Sequence, residues 1–279
     1  MSELEAFIAN ALREDVGDGD HTSLACIPQN TQRTARLMVK EKGILAGMKI
    51  APAIFHTVDP TLHFEPLLKD GMGIQPGDIA FAISGKAQSI LTSERLVLNV
   101  MQRMSGIATQ TRAIVDRIDG TGAKVLDTRK TTPGMRFLEK MAVVIGGGVN
   151  HRIGLFDMMM IKDNHVDYAG GISLALEKAR SYLQEKGKEL AIEIETRNLT
   201  EVKEAVNSGL ADRLMLDNFT PQATREAVAW IDGRCETESS GGITLETIRD
   251  YAECGVDFIS VGALTHSVKS LDLSLKAVN

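Results

Sequence analysis

The chain has 279 residues, 43% of them apolar and 24% charged, with a net charge of −6. That is apolar side chain enough for one large domain or two modest ones, and it excludes a disordered chain, which could not offset its ordering entropy. The acidic balance argues against a nucleic-acid binder, and no apolar run reaches the ~18 residues that a membrane-spanning helix needs. Three widely spaced cysteines (Cys26, Cys235, Cys254) form no CxxC pair. With an N-terminus lacking a signal peptide's basic start, they point to a reducing, cytoplasmic setting.

In chain order, Leu4, Phe7, Ile8, Ala11 and Leu12 keep helical spacing until Gly17 and Gly19 break it. From 31 to about 92 the texture changes to short strand-like runs, TARLMVKEKGILAG, LHFEPLL and DIAFAISGKAQSI, with the helical stretch APAIFHTVD among them. This part reads as an α+β unit with a largely antiparallel sheet. Residues 93–118 form a long helix by pattern, and Ser105-Gly106 in its middle suggests a bend and a domain boundary.

Beyond it, strand, polar cluster and helix alternate. Strand ends are expected at Leu126, Ile161, Ile194, Leu216, Thr237 and Val261, 21 to 35 residues apart, a spacing that suits βα units. Six such units fall short of a closed eightfold barrel, so an incomplete α/β barrel is expected. In such a fold ligands sit at the carboxyl ends of the strands. The clusters there are Asp127-Thr128-Arg129-Lys130, Lys162-Asp163-Asn164-His165, Glu195 with Arg197, Asp217-Asn218, Glu238 to Gly242, and Gly262 to His266.

Ser240-Gly241-Gly242, read as opening the helix TLETIRDYAE, and Gly262-Ala263 on the next strand would let an anion approach bare backbone. Glu195 and Asp217, on neighbouring strand ends, could share one Mg²⁺, an ion that takes few carboxylates and completes its shell with water and phosphate oxygens. Together these suggest a phosphorylated sugar carrying a diphosphate. Arg103, Arg129, Lys130, His151, Arg152 and Lys162 gather cations in an acidic chain, which points to a second anionic ligand such as a carboxylate. Gly146-Gly147-Gly148 fits neither GxGxxG nor a Walker loop. EDVGDGDHTS fails as a calcium loop, with Ser23 and Gln29 at its sixth and twelfth positions.

The strings DTRKTTPGMRFLEKMAVVIGGGVNHRIGLFDMMMIKDNH, MLDNF, ESSGGIT, ISVGALTHS, RMSGIAT and EDVGDGDHTS closely resemble the quinolinate phosphoribosyltransferases over residues 12 to 275. The resemblance implies an N-terminal α/β sandwich (1–107, with 267–279 packed back on it) and an open, about seven-stranded α/β barrel (108–266). It implies transfer of phosphoribosyl from phosphoribosyl pyrophosphate to quinolinate with decarboxylation, as part of NAD biosynthesis, in a homodimer or larger assembly.

Quinolinate would be held by Arg129, Lys130, His151, Arg152 and Lys162, plus Arg103 from a partner subunit. Phosphoribosyl pyrophosphate with Mg²⁺ would lie against Glu195, Asp217, Ser240, Gly241, Gly242, Gly262, Ala263 and His266. Lys130, Lys162, Glu195 and Asp217 would be catalytic, and Glu195 and Asp217 the metal pair. Where many relatives carry a second acid two residues past the metal-side Glu, this chain has Arg197; the role is carried to Glu195, with Glu193 as the alternative. The rival readings are a molybdenum-transport-associated protein of the same fold and a non-catalytic phosphometabolite-binding barrel.

Overall fold

The computed structural model describes residues 2–278. Helix α1 (Glu3–Val16) begins with a reciprocal cap: the Ser2 hydroxyl accepts the Glu5 N–H while the Glu5 carboxylate accepts the Ser2 N–H. The Gly/Asp-rich loop after it serves α2 (His21–Cys26), whose first turn is closed by the Asp20 carboxylate on the Ser23 N–H.

Next come β1 (Gln32–Val39), β2 (Gly43–Ile44), α3 (Ala51–Val58), β3 (His63–Pro66), β4 (Gly73–Ile74) and β5 (Ile79–Lys86). β1, β3 and β5 form an antiparallel sheet with the C-terminal strand β12 (Leu273–Val278), in the order β12-β1-β5-β3. β2 and β4 make a separate two-stranded ribbon. The sheet's inner face packs on α3 through the rings of Phe55, Phe64 and Phe81, whose centroids lie 4.7 to 6.2 Å apart.

Helix α4 runs from Ala87 to Arg117, six residues earlier than the sequence pattern suggests. The stretch AQSI reads as the end of a strand but begins this helix. Ala87, Ile90, Ser93, Val97, Met101 and Met104 form one buried stripe, and Gln88 anchors the first turn by donating to the Ile27 carbonyl at 2.7 Å. The expected bend at Ser105-Gly106 is instead a packing seam in a continuous helix. The Ser105 hydroxyl accepts the Ala46 N–H at 2.9 Å and donates to the Ala46 carbonyl at 3.2 Å. A Cβ on Gly106 would overlap the carbonyl oxygen of Lys269.

The chain divides into two compact units, one of residues 1–112, 131–147 and 265–279, the other of 113–130 and 148–264. The first stretch of the first unit runs to Arg112, a few residues past Ser105-Gly106. The segment carrying α5 (Arg136–Ile145), which the sequence reading left with the barrel, belongs to the first unit. There the Phe137 ring meets Phe7 of α1 edge-on at 5.8 Å.

The second unit holds β6 (Lys124–Leu126), β7 (Met159–Ile161), α6 (Asp163–Ala169), α7 (Ile172–Lys186), β8 (Ile192–Thr196), α8 (Leu199–Ser208) and β9 (Arg213–Asp217). It continues with α9 (Pro221–Ile231), β10 (Glu236–Ser240), α10 (Ile248–Ala252) and β11 (Phe258–Ser260). A last short helix, α11 (Ala263–His266), leads out of it. Its six strands are all parallel, in the order β6-β11-β10-β9-β8-β7, and Val149 adds a single parallel bridge outside β6. All six expected strand ends lie within these strands or next to them, and the barrel is open. Among the described residues no helix is long and apolar enough to cross a membrane.

The seam in α4 is tested by Gly106→Ala, which should cost about 2 kcal/mol through overpacking, read as a lower urea midpoint at unchanged slope. Gly73→Ala, where an added Cβ meets nothing within 4 Å, should leave the midpoint nearly unchanged.

Candidate active site

Strand register decides which side chains reach the barrel interior. Neighbours across a parallel sheet share a face, so Glu193 stands beside Arg213 and Glu236, and Glu195 beside Met215 and Glu238. Glu193 and Glu195, two residues apart on β8, share that face, with Glu195 nearer the carboxyl edge.

At that edge the cations crowd together. Burial, and then the adjacent Arg129 guanidinium, pull the Arg152 pKa below its ordinary value, only partly countered by Glu193 and Asp157. Arg129 Nε is buried and meets no hydrogen-bond acceptor among the described residues. Two half-buried guanidiniums side by side, one with an orphaned N–H, suit an anion that brings its own acceptors. Lys162 reaches Glu195 at 3.1 Å. Its backbone N–H is held by His165 Nδ1 at 3.0 Å at the start of α6.

Asp217 ends β9. Burial holds its pKa above the ordinary carboxylate value, although an Asn218 hydrogen bond and the fields of Lys162 and Lys130 favour its charge. Asn218 Nδ2 donates to Asp217 Oδ2 at 2.6 Å, and the Asn218 N–H donates to the Ser240 carbonyl at 2.8 Å. Asn218 has φ 55°, in the left-handed region that Asn tolerates better than most residues. Opposite it, Gly241 has φ 95°, and a Cβ there would collide with the Asn218 side chain. The glycine pair is therefore a bare-backbone cradle tied to the strand that carries Asp217. It does not open a helix: Thr244–Thr247 form a turn first, and α10 begins only at Ile248. The helix-dipole part of the sequence argument thus fails, and the close backbone approach remains.

Beneath the rim His151, Glu193, Arg213 and Glu238 come together in a charged core, a meeting that the sequence did not disclose. His151 Nε2 stands 2.9 Å from Glu193 Oε2 and 3.4 Å from Glu238 Oε2, and Arg213 Nη1 lies 3.5 Å from Glu238. His151 is 7% exposed, and both glutamates are fully buried. Burial, then the Glu238 carboxylate, push Glu193 up. Against the cost of burial, His151, Ser260 and Arg213 hold Glu238 below its ordinary value. Against the same cost, the two carboxylates favour a protonated His151 ring. The Arg152 N–H points at Nδ1 from 2.7 Å, a contact that opposes the carboxylates by favouring a lone pair on the ring. Asp127, fully buried, accepts the His151 N–H at 2.9 Å and fixes the segment after Val149.

The second unit thus brings together Arg129, Lys130, His151, Arg152, Lys162, Glu195 and Asp217, with Ser240-Gly241-Gly242 on β10 and its loop and Gly262-Ala263 after β11. Asp127, Asn218 and Glu238, which the sequence placed in strand-end clusters without a role, and Arg213, which it passed over, are the supporting residues. Arg103 and His266 belong to the first unit. There Arg103 donates to Glu139 Oε1 through Nε (3.1 Å) and Nη2 (2.8 Å), and Nη2 also meets the Thr265 carbonyl at 2.6 Å. His266 is exposed, with Nδ1 2.6 Å from the Ser267 hydroxyl.

Comparison with known proteins identifies the family. The profile of the quinolinate phosphoribosyl transferase N-terminal domain matches residues 20–105, and that of the C-terminal domain matches residues 107–276. Quinolinate phosphoribosyltransferase (decarboxylating) 1b of Nicotiana tabacum is 47% identical over 98% of this chain and 82% of its own length. A probable nicotinate-nucleotide pyrophosphorylase (carboxylating) of Bacillus subtilis is 42% identical over 98% of this chain and 93% of its own. The crystal structure of NadC from Streptococcus pyogenes matches with a TM-score of 0.93 at 38% identity, covering 99% of this chain and 97% of the other. The chain belongs to the quinolinate phosphoribosyltransferase family.

Proposed function

We propose that this chain is a decarboxylating quinolinate phosphoribosyltransferase, which converts quinolinate and phosphoribosyl pyrophosphate to nicotinate mononucleotide, pyrophosphate and carbon dioxide. The observation that carries this reading is the Arg129–Arg152 pair, half-buried and lacking enough protein anions, at the same strand edge as Glu195 and Asp217. Arg129, Lys130, Arg152 and Lys162 hold the dicarboxylate. Ser240, Gly241, Gly242, Gly262 and Ala263 receive the phosphorylated sugar, with His266 assigned to the same substrate by family resemblance.

In the reaction the pyridine nitrogen bonds to the anomeric carbon as the bond from that carbon to pyrophosphate breaks. The ring becomes a pyridinium, which accepts the electron pair left when the adjacent carboxylate departs as carbon dioxide; a proton then fills that ring position. Glu195 and Asp217 lie where positive charge builds on the sugar and stabilise it. Their two carboxylates, on neighbouring strands with Asp217 half-buried, suit Mg²⁺, and the ion when bound would neutralise the departing diphosphate. The basic pocket must hold the retained carboxylate more firmly than the departing one, because uniform binding of a group that loses its charge would slow that loss. Catalysis is by positioning and electrostatics, with no covalent nucleophile. Cys26, Cys235 and Cys254 are all free thiols, in keeping with the cytoplasm. We assign Arg103 to the site of a neighbouring copy in a homodimer or larger assembly.

The direct test is to mix protein, Mg²⁺, quinolinate and phosphoribosyl pyrophosphate, with nicotinate as a parallel substrate. Nicotinate mononucleotide should form from quinolinate; its absence would return the chain to the rival readings. Arg152→Ala should raise the quinolinate KM about 10- to 100-fold, the worth of charge-assisted hydrogen bonds, and wild-type quinolinate kinetics would remove Arg152 from the pocket. Arg103→Ala and Lys162→Ala should each be inactive alone and regain activity when their subunits are exchanged. No regain after verified exchange would mean that Arg103 does not serve a partner's site.

A further inference from the structure

Of the cations assigned to the quinolinate pocket, Arg103 belongs to the first unit rather than the second, and its guanidinium is held along one side. Nε donates to Glu139 Oε1 at 3.1 Å. Nη2 donates to the same oxygen at 2.8 Å, to the Thr265 carbonyl at 2.6 Å and to the Thr132 hydroxyl at 3.4 Å. Nη1 meets no acceptor among the described residues. Glu139 stands in the first turn of α5, and its second oxygen accepts the Thr132 N–H at 3.1 Å. Its side chain is fully buried, whereas that of Arg103 is 22% exposed. All four residues lie in the first unit.

A buried ion pair does little for stability by itself, because taking two charges out of water costs about what their attraction returns. The asymmetry of this one has a chemical consequence. A guanidinium on a long stem loses rotamer freedom when it is made to point one way. Glu139 takes up the Nε–Nη2 edge, so Nη1 is the end left to meet a carboxylate that brings its own acceptors. We propose that Glu139 is a positioning residue: it grips Arg103 by that edge and so aims Nη1 at the quinolinate of a neighbouring copy, without touching the substrate itself. This rests on the reading of Arg103 as a residue of a shared site, and it adds a second residue that the donating subunit must supply.

Glu139→Gln keeps the size of the side chain but has one oxygen, which cannot serve both Arg103 and the Thr132 N–H. It should raise the quinolinate KM about tenfold or more, the worth of a charge-assisted hydrogen bond, with the phosphoribosyl pyrophosphate KM within about twofold of wild type. Subunit exchange then tells whose site is damaged. Assayed at low quinolinate, Glu139→Gln subunits should regain activity with Lys162→Ala subunits and none with Arg103→Ala subunits. The reverse pattern would mean that Glu139 serves its own subunit's barrel, and no regain with either would mean a general structural defect; each overturns the proposal. Regain in the Arg103→Ala and Lys162→Ala mixture, without it for Glu139→Gln and Lys162→Ala, sinks this proposal alone. Failure of both mixtures removes the shared site, and this proposal with it.

The wild-type protein gives a readout that does not depend on how Glu139→Gln folds. In ¹H–¹⁵N spectra the Arg103 Nε–H signal, assigned by its loss in Arg103→Lys, should exchange slowly with water, both free and with quinolinate bound, because a buried carboxylate holds that edge in both states. Fast exchange in the free protein, or an Nε–H that loses its protection when quinolinate binds, would overturn the grip of Glu139 on Arg103.

Discussion

Arg152 stands half-buried in the field of the Arg129 guanidinium, which adds to burial in raising the cost of its charge. That repulsion is the condition on which the rest of the barrel unit is organised. Two cations are tolerated together only if something anionic is near, and in a water-poor setting the nearest anions dominate. The protein supplies part of the compensation from below, through Glu193 and Asp157, and leaves the remainder to a ligand. A fully neutralised pocket would bind nothing; an uncompensated one would not stay folded.

The parallel sheet keeps opposite charges apart while holding them close. Lys162 spans from the end of β7 to Glu195 on β8, and Asp217 on β9 feels both Lys162 and Lys130. Under the proposed assignment, a dicarboxylate ring and an activated sugar placed against these two sets would meet along the line where cations give way to acids. The backbone contacts at Asn218, Gly241, His151 and His165 limit how far that line can shift. Precision at the rim therefore comes from main-chain tethers rather than from the long, rotamer-rich cations themselves.

The barrel was legible in the sequence because every strand closes on a polar cluster, Asp127-Thr128 and Asp217-Asn218 among them, where the chain turns toward a ligand. The antiparallel sheet was legible through alternation, as in TARLMV. Where the reading went astray, tertiary context had overruled local texture: AQSI looks like strand but continues a buried helical stripe. The stretch after Gly242 looks like helix but forms a turn up to Thr247. The members of the charged core were named in part, but their meeting was not legible. Glu193, Arg213 and Glu238 are ordinary charged residues on strands until the register shows that all three face inward. Asn218 left a faint trace, since Asn beside a strand end is a common left-handed residue.

The chain crosses between its units repeatedly, and residues 131–147 interrupt the barrel to fill a place in the first unit. A fragment cut at the seam near residue 106 would carry Phe137 and Glu139 away from Phe7 and Arg103, stranding an aromatic ring in water and a buried carboxylate without its guanidinium. Neither half is a module that could be transplanted whole. Gene fusions, circular permutants or recombination breakpoints in this protein would have to respect the interleaving rather than the linear order.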